Sequence, residues 1–511
     1  MSALKKPSPV HQVNMSAAKS GVNPADAELW HAYLRAISDY FPFSEQPDGY
    51  RIYTAPLTTF GVTIGRAVDP SIVNNDLFRL GDLLLPPESP IFLPRLSYSQ
   101  RLRRYLQFVS TPPGRQNAET LAQLERTKEQ LTEATNDFIK CRHQAYGAYL
   151  ADPASTQPQT GASTTVDAQA LFNSWAKTFY PAYQLASLRK DASSQEAYDA
   201  HLEYYGLQTA SLWNDKVQLD QAFVANSPNK PYNMPTCSSQ VTNDAIVGAR
   251  GTPASPPAPL DINYQPRYNI DDKFSQQALS WVLNAENGKN KPLEITVKSS
   301  SISPTKPANW NDLGFSKISL AKHEEIVPRV PLFTAHTHEA STPTNQPNLQ
   351  VGLGDMKTSV EVTIRASDAA VFALGPDQSW DIPDITTRYP KLRAEAPTDL
   401  FHPLVLVTHV FLGYQVSISM KLDQQTFERI DDGINQCKDN GGTASLFGMC
   451  VGPRSTDSMV GFDQIERTPS TQTINIPPRD NSQLTIIGLM GMELPAPIPA
   501  KTSADPGTLG A

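Results

Sequence analysis

A chain of 511 residues is long enough for roughly two to four domains and for a core that needs no disulfide staples. Its 39% hydrophobic and 18% charged residues lie below ordinary globular usage, and 44 prolines fill part of the gap, which argues against an all-helical body. The formal charge of −8 excludes the net basic surface that non-specific nucleic-acid binding needs, and no run approaches the ~18 apolar residues of a membrane helix.

Residues 1–22 are polar and are expected to be a disordered tail. They lack the apolar stretch of a secretory leader, which predicts a cytoplasmic protein with reduced thiols. A helix is predicted to start at Asn23 as cap and Pro24 as first residue, with Leu29, Tyr33, Leu34, Ile37 and Tyr40 on one face. Residues 51–113 are mixed, with strands expected within 53–64 and a short helix within 74–85. The cluster Arg95, Arg101, Arg103, Arg104 alternates with Leu102, Tyr105, Leu106 and Phe108, which reads as an amphipathic helix with a solvated basic face.

From Asn117 to Leu150 the apolar residues recur at helical spacing. Leu124, Leu131, Phe138 and Ala145 are spaced by seven, and Ala134, Cys141, Ala148 and Leu121 widen the stripe. Further helices are predicted from Leu171, Trp175 and Phe179, from Leu185 and Leu188 after Pro181, and from Leu212, Leu219 and Phe223, with Trp213, Val217 and Val224 beside them. Residues 226–267 hold eight prolines and read as a linker or long loop. One more helix is expected at 271–284, through Phe274, Leu279 and Val282.

The hydrophobic period then changes. Leu293, Ile295 and Val297 alternate with polar residues, as do Val360, Val362 and Ile364, and later Tyr414, Val416, Ile418 and Met420. Phe315, Ile318 and Leu320 suggest another strand, and the more continuous run 404–411 suits a sheet centre. Asp423 can cap a helix carrying Phe427, Ile430, Ile434 and Cys437 on one face, closed by Lys438 and the Gly441–Gly442 pair. Late strands are expected at 445–451 and 484–490, and residues 495–511 as a disordered tail. The expected fold class is therefore α+β, with a helical bundle over 23–225 followed, beyond the 226–267 linker, by a mainly antiparallel β-sandwich-like domain over 268–494 with at least one packed helix.

Site candidates are few. His336 and His338 are two apart, so on a strand both imidazoles would share a face and could meet one divalent metal, with Glu339 next to them and His323, Glu324 and Glu325 upstream. His402, His409 and Asp399 could supply a base dyad, and Trp380, Asp381 and Asp384 resemble an acidic, aromatic sugar-binding loop as much as an ordinary turn. Cys437 and Cys450 flank a glycine-containing loop and could pair under oxidation. No Walker A loop, GxGxxG or GxSxG occurs, so no cofactor is expected.

Long helices and alternating strands favour a non-enzymatic role in interaction or self-assembly, with a homo-oligomer or a protein partner. A second expectation is a soluble protein that converts to a pore former, although Glu125, Arg126, Lys128 and Glu129 make the long helix too polar to insert unaided. A third is a metal-dependent hydrolase that uses the His336/His338 region.

Overall fold

The computed structural model describes residues 24–41, 49–54, 61–64, 70–88, 90, 96–112, 117–152, 168–222, 233–236, 263–298, 313–315, 332–336, 349–351, 360–453, 459–479 and 483–497. The chain begins with α1 (Pro24–Ser38), β1 (Tyr50–Thr54), β2 (Gly61–Thr63), α2 (Pro70–Gly81), β3 (Leu83–Leu85), β4 (Leu96–Ser97) and α3 (Tyr98–Phe108). Four helices follow: α4 (Ala118–Ala151), α5 (Ala168–Phe179), α6 (Pro181–Tyr205) and α7 (Leu207–Ala222). Next come β5 (Asn233–Thr236), β6 (Asn263–Pro266), β7 (Tyr268–Ile270), α8 (Phe274–Glu286), β8 (Leu293–Lys298), β9 (Phe333–His336), β10 (Leu349–Val351), β11 (Glu361–Ala366) and β12 (Asp368–Pro376). The chain continues with α9 (Ile385–Arg388), β13 (Val405–Tyr414), β14 (Ser417–Lys421), α10 (Gln424–Asp439), β15 (Thr443–Leu446), β16 (Met449–Gly452), β17 (Val460–Gly461), β18 (Glu466–Thr468), β19 (Thr473–Ile476) and β20 (Gln483–Glu493).

The architecture is α+β with antiparallel sheets, as the change of period predicts. The largest sheet runs β1-β20-β13-β12-β7, with β2 against β20 and β3 bridging β13 to β4. A second follows the order β18-β19-β14-β11-β8 and a third β10-β9-β15-β16-β17, in which only the β16–β17 pair is parallel. The first two sheets are continuous through one corner. The pair β12–β13 becomes the pair β11–β14 across Ser367 and Gln415, where the Ser367 amide donates to the Tyr414 carbonyl and Gln415 takes a positive φ of 50°. Val405–Tyr414 lies in the sheet interior between β20 and β12, which explains why the run 404–411 shows so little alternation.

The helices fall into two groups. Helix α1 packs on the sheets and not on another long helix: Trp30 stacks on Phe447 at 4.5 Å, and the buried Tyr33 hydroxyl donates to the Ile487 carbonyl at 2.7 Å. The described residues of α1 to α3 thus share the core of the C-terminal sheets, with β1 and β2 pairing with β20 and β3 with β13, strands more than 300 positions downstream. The second group is α4, α5 and α6, which hold a separate small core of Phe138, Ala145, Phe172, Ala176, Tyr183 and Ala186. Long-range pairing of β1 with β20 left no local trace in the sequence, so the passage from helical to β-rich chain holds only from α4 onward.

Particular expectations need correction. Tyr40 is half exposed and stacks on Phe411 from outside, and α8 buries Phe274, Ala278 and Trp281 while Leu279 is exposed. Phe315 is buried but sits after a short turn and in no strand; Ile318 and Leu320 lie outside the described residues. The single strand expected at 445–451 is the hairpin β15–β16, turned by Phe447 and Gly448 at φ values of 45° and 81°. Within 226–267, β5 and β6 pair as a two-stranded ribbon. Of the tails expected at 1–22 and 495–511, only residues 495–497 are among the described residues, and they lie in no helix or strand. Helix α10 is as expected, with Asp423 accepting from the Thr426 amide at 3.0 Å and the Gly442 amide closing on the Cys437 carbonyl at 2.7 Å.

Candidate functional site

The histidine pair is not assembled. His336 ends β9 with its side chain exposed and its backbone opposite Thr443, while His338, Glu339, His323, Glu324 and Glu325 lie outside the described residues. Among the described residues no three His, Cys, Asp or Glu side chains converge on a point where an ion could sit.

The other sequence candidates have structural work. His402 is exposed beyond the turn at 398–401, its carbonyl accepting from Arg101 at 2.8 Å, and Asp399 is held by Arg104 at 2.7 Å, so no His–Asp dyad forms. Burial holds the half-buried His409 below the usual imidazole range. Trp380 is fully buried and its indole N–H donates to the Arg267 carbonyl, so its ring is closed to any sugar; Asp381 accepts from the Tyr98 hydroxyl at 2.8 Å. Asp384 takes a left-handed φ of 56° ahead of α9. Cys437 and Cys450 are free thiols: Cys437 lies buried on α10 and donates to the Thr443 carbonyl, while Cys450 sits in β16 across from Ser445.

The basic face expected on α3 is divided: Arg103 and Arg104 are exposed as expected, Arg101 is not, and Arg95 lies outside the described residues. Arg101 is buried and donates to the carbonyls of Asp399, Leu400 and His402, and Arg103 and Arg104 pair with Asp220 and Asp399. A second buried polar group surrounds Asp82, which accepts from Ser97, from the Ser99 amide and hydroxyl, and from the Tyr268 hydroxyl. Burial raises the Asp82 carboxyl above its ordinary value despite these donors. The first cluster ties α3 to the turn at 398–402 and to α7, and the second ties the end of α2 and the start of α3 to β4 and β7.

Helix α6 offers a different arrangement, because its 25 residues present three faces. One face packs antiparallel on α4 through Tyr183, Ala186, Lys190, Ala197, Ala200 and His201. The order of its partners fixes the direction: Tyr183 meets Phe138, Arg189 meets Asp137 and Glu133, and His201 feels Lys128. The alanines let the two helices approach closely, against a seam of Leu124, Thr127, Leu131, Ala134 and Phe138 on α4. Leu121, expected in that seam, is exposed.

The second face is apolar and open. Leu185 and Leu188 are 70% and 60% exposed, and Phe179 at the end of α5 is 66% exposed. Pro181 and Ala192 are exposed on the same side, so the positions 181, 185, 188 and 192 form a stripe at helical spacing. Helical spacing alone predicts Phe179, Leu185 and Leu188 inside a bundle. Pro181 begins a new helix, and on it Tyr183 and Ala186 are buried while Leu185 and Leu188 face outward.

The third face lines a cleft of about 690 Å³ with α7 and α9. Asp191, Gln195 and Tyr198 come from α6, and Gln208, Ser211, Asn214 and Asp215 from α7. At its floor the buried Asp215 takes two hydrogen bonds on the same oxygen, Oδ2: one from Arg388 at 2.9 Å and one from the Tyr389 hydroxyl at 2.7 Å. The bond to Asp215 raises the Arg388 guanidinium above its usual value, and burial raises the Tyr389 phenol. No sequence spacing could reveal this site, since Asp215 and Arg388 are brought together only by folding.

Searches with this chain against protein-family models, curated proteins and solved structures find no match.

Proposed function

We propose that this protein acts by self-assembly, and that the occupant of the open α6 stripe is α6 of a second copy. The observation that carries the reading is the exposure of Leu185 and Leu188 on a helix already anchored along its opposite side. The stripe is symmetric about its own midpoint: the steps between 181, 185, 188 and 192 are four, three and four. An antiparallel copy therefore sets Leu185 against the partner's Leu188 and Pro181 against the partner's Ala192. The same register places Arg189 opposite Gln184 and Asp191 opposite Ala182, so no like charges meet. A two-fold interface needs this kind of self-complementary patch.

Two helices paired over this length bury less than about 1,000 Å², the low end for specific association, so a dissociation constant in the micromolar range is expected. The reading includes a coiled-coil-like contact between copies and a reducing, cytoplasmic setting, in keeping with the free thiols of Cys437 and Cys450. No helix among the described residues is long and apolar enough to cross a membrane.

Sedimentation velocity over a wide concentration series tests the proposal. The protein should pass from monomer to dimer, and the double substitution Leu185→Glu with Leu188→Glu should hold it monomeric with its melting temperature unchanged. A wild-type chain that stays monomeric at about 100 μM, or a double variant that dimerises equally well, overturns it.

A further inference from the structure

The cleft between α6, α7 and α9 is chemically unlike the stripe. Among the described residues its lining has no aliphatic side chain, and each member carries a polar group, the two tyrosines included. Ordinary small-molecule sites are mostly apolar with a few placed polar groups, so this lining suits a ligand whose own surface is polar throughout. Its charges are already compensated. Asp215 faces Arg388 at 2.9 Å and Asp191 faces Lys190 at 3.4 Å, leaving no excess charge to attract an ion of either sign.

What remains is hydrogen-bonding capacity of both kinds. Arg388 and Tyr389 both spend their bonds on Asp215 Oδ2, so Oδ1 is left without a donor among the described residues. The Arg388 side chain is half exposed and commits only one nitrogen to Asp215, so its other N–H groups are available to a guest. Asn214 and Gln208 stand exposed on the wall, each offering an amide donor and a carbonyl acceptor. Vicinal hydroxyls match this pattern, because each hydroxyl donates once and accepts as well, and planar carboxylate, guanidinium and amide groups span two neighbours at once. Half-buried Tyr198 supplies an aromatic face on which the C–H side of a pyranose ring can lie. A volume of about 690 Å³ accommodates one or two sugar rings.

From this arrangement we infer that the α6–α7–α9 cleft is a binding site for a neutral polyhydroxylated ligand, a mono- or disaccharide unit. Asp215 Oδ1 accepts from one hydroxyl pair, Arg388 donates to a ring or hydroxyl oxygen, and Asn214 and Gln208 fix the orientation. The inference does not rest on self-assembly, since the groups that would hold the ligand, Gln208, Asn214, Asp215 and Arg388, belong to α7 and α9 and not to the α6 stripe.

Isothermal titration of the full chain with glucose, maltose, cellobiose, mannobiose and N,N′-diacetylchitobiose tests the site, with sodium sulfate and spermidine as charged controls. At least one neutral sugar should bind with a dissociation constant near or below about 1 mM. The variants Gln208→Ala and Asn214→Ala alter exposed side chains, so they should keep the wild-type melting temperature while weakening binding about tenfold each, the usual cost of one lost polar contact. The inference is overturned if none of the sugars binds at about 20 mM, if binding survives both substitutions unchanged, or if only sulfate or spermidine binds.

Discussion

Acid should loosen the helical arm through one residue, His201. Its ring is 2% exposed, stacks on Trp213 at 4.0 Å, and is bound at Nδ1 to the Ala197 carbonyl at 2.8 Å. Burial, reinforced by the nearby Lys128 charge and only partly offset by that hydrogen bond, pushes its pKa down from 6.5 to about 4. A depressed value means that the unfolded chain binds the proton more readily than the folded one. Stability from the neutral imidazole is therefore complete above about pH 6.5 and is lost as pH falls toward about 4. The shift of about 2.5 units sets a ceiling of about 3 kcal/mol, of which about 2 kcal/mol should be gone at pH 5.

Buried Asp82 and half-buried Asp381 have raised values and act in the opposite sense, gaining stability as pH falls, so total stability against pH is a poor test. The comparison that isolates the imidazole is His201→Phe, which keeps a ring over Trp213 and removes the proton site. Urea unfolding of both proteins from pH 7.5 to 5 should show wild type losing about 2 kcal/mol relative to the variant. Parallel pH profiles for the two proteins would refute the argument, for they would mean that His201 is protonated in the folded state at no cost.

The remaining predictions concern packing and covalent state. Gly433→Ala should destabilise by about 1–3 kcal/mol in urea unfolding, because a methyl there would lie 2.7 Å from the Phe333 ring and 2.8 Å from Leu349; a neutral or stabilising result would show that β9 and β10 yield easily. Arg101→Met should cost about 3 kcal/mol or more, since it leaves the carbonyls of Leu400 and His402 without their donor, whereas Arg189→Gln, which breaks only exposed ion pairs to α4, should cost less than about 1 kcal/mol. Trp380→Ala should lower stability by about 3–5 kcal/mol, measured the same way, as the loss of a fully buried indole demands. Dithiothreitol should leave the melting temperature unchanged, and Cys437 and Cys450 should both react with a thiol reagent once the chain is unfolded without reductant.

Local chemistry made much of this fold legible. Alternation alone located β8 and β11, whose inward residues Ile295, Val297, Val362 and Ile364 are all buried, because a strand's period of two is a property of its own backbone. Helix α10 was readable from cap to cap for the same reason: Asp423 and the Gly441–Gly442 pair satisfy terminal groups within a few residues. The seven-residue seam of α4 is local in the same way, and its Leu124, Leu131, Phe138 and Ala145 are all buried.

The partnerships were decided only by tertiary structure. Which face of α6 is buried depended on α4 and α5: Tyr183 and Ala186 are no more helix-like than Leu185 and Leu188, but theirs is the face that meets the neighbouring helices, Tyr183 lying against the Phe138 and Phe172 rings. The pairing of β1 with β20 joins residues more than 400 positions apart, a contact whose closing is a global event. The cleft belongs to the same category. Asp215, Arg388 and Tyr389 carry no shared spacing, and their meeting depends on α7 docking against α9, as does whatever the cleft binds. Sequence determined the elements because their hydrogen bonds and periods are local; folding determined the sites because their partners are distant.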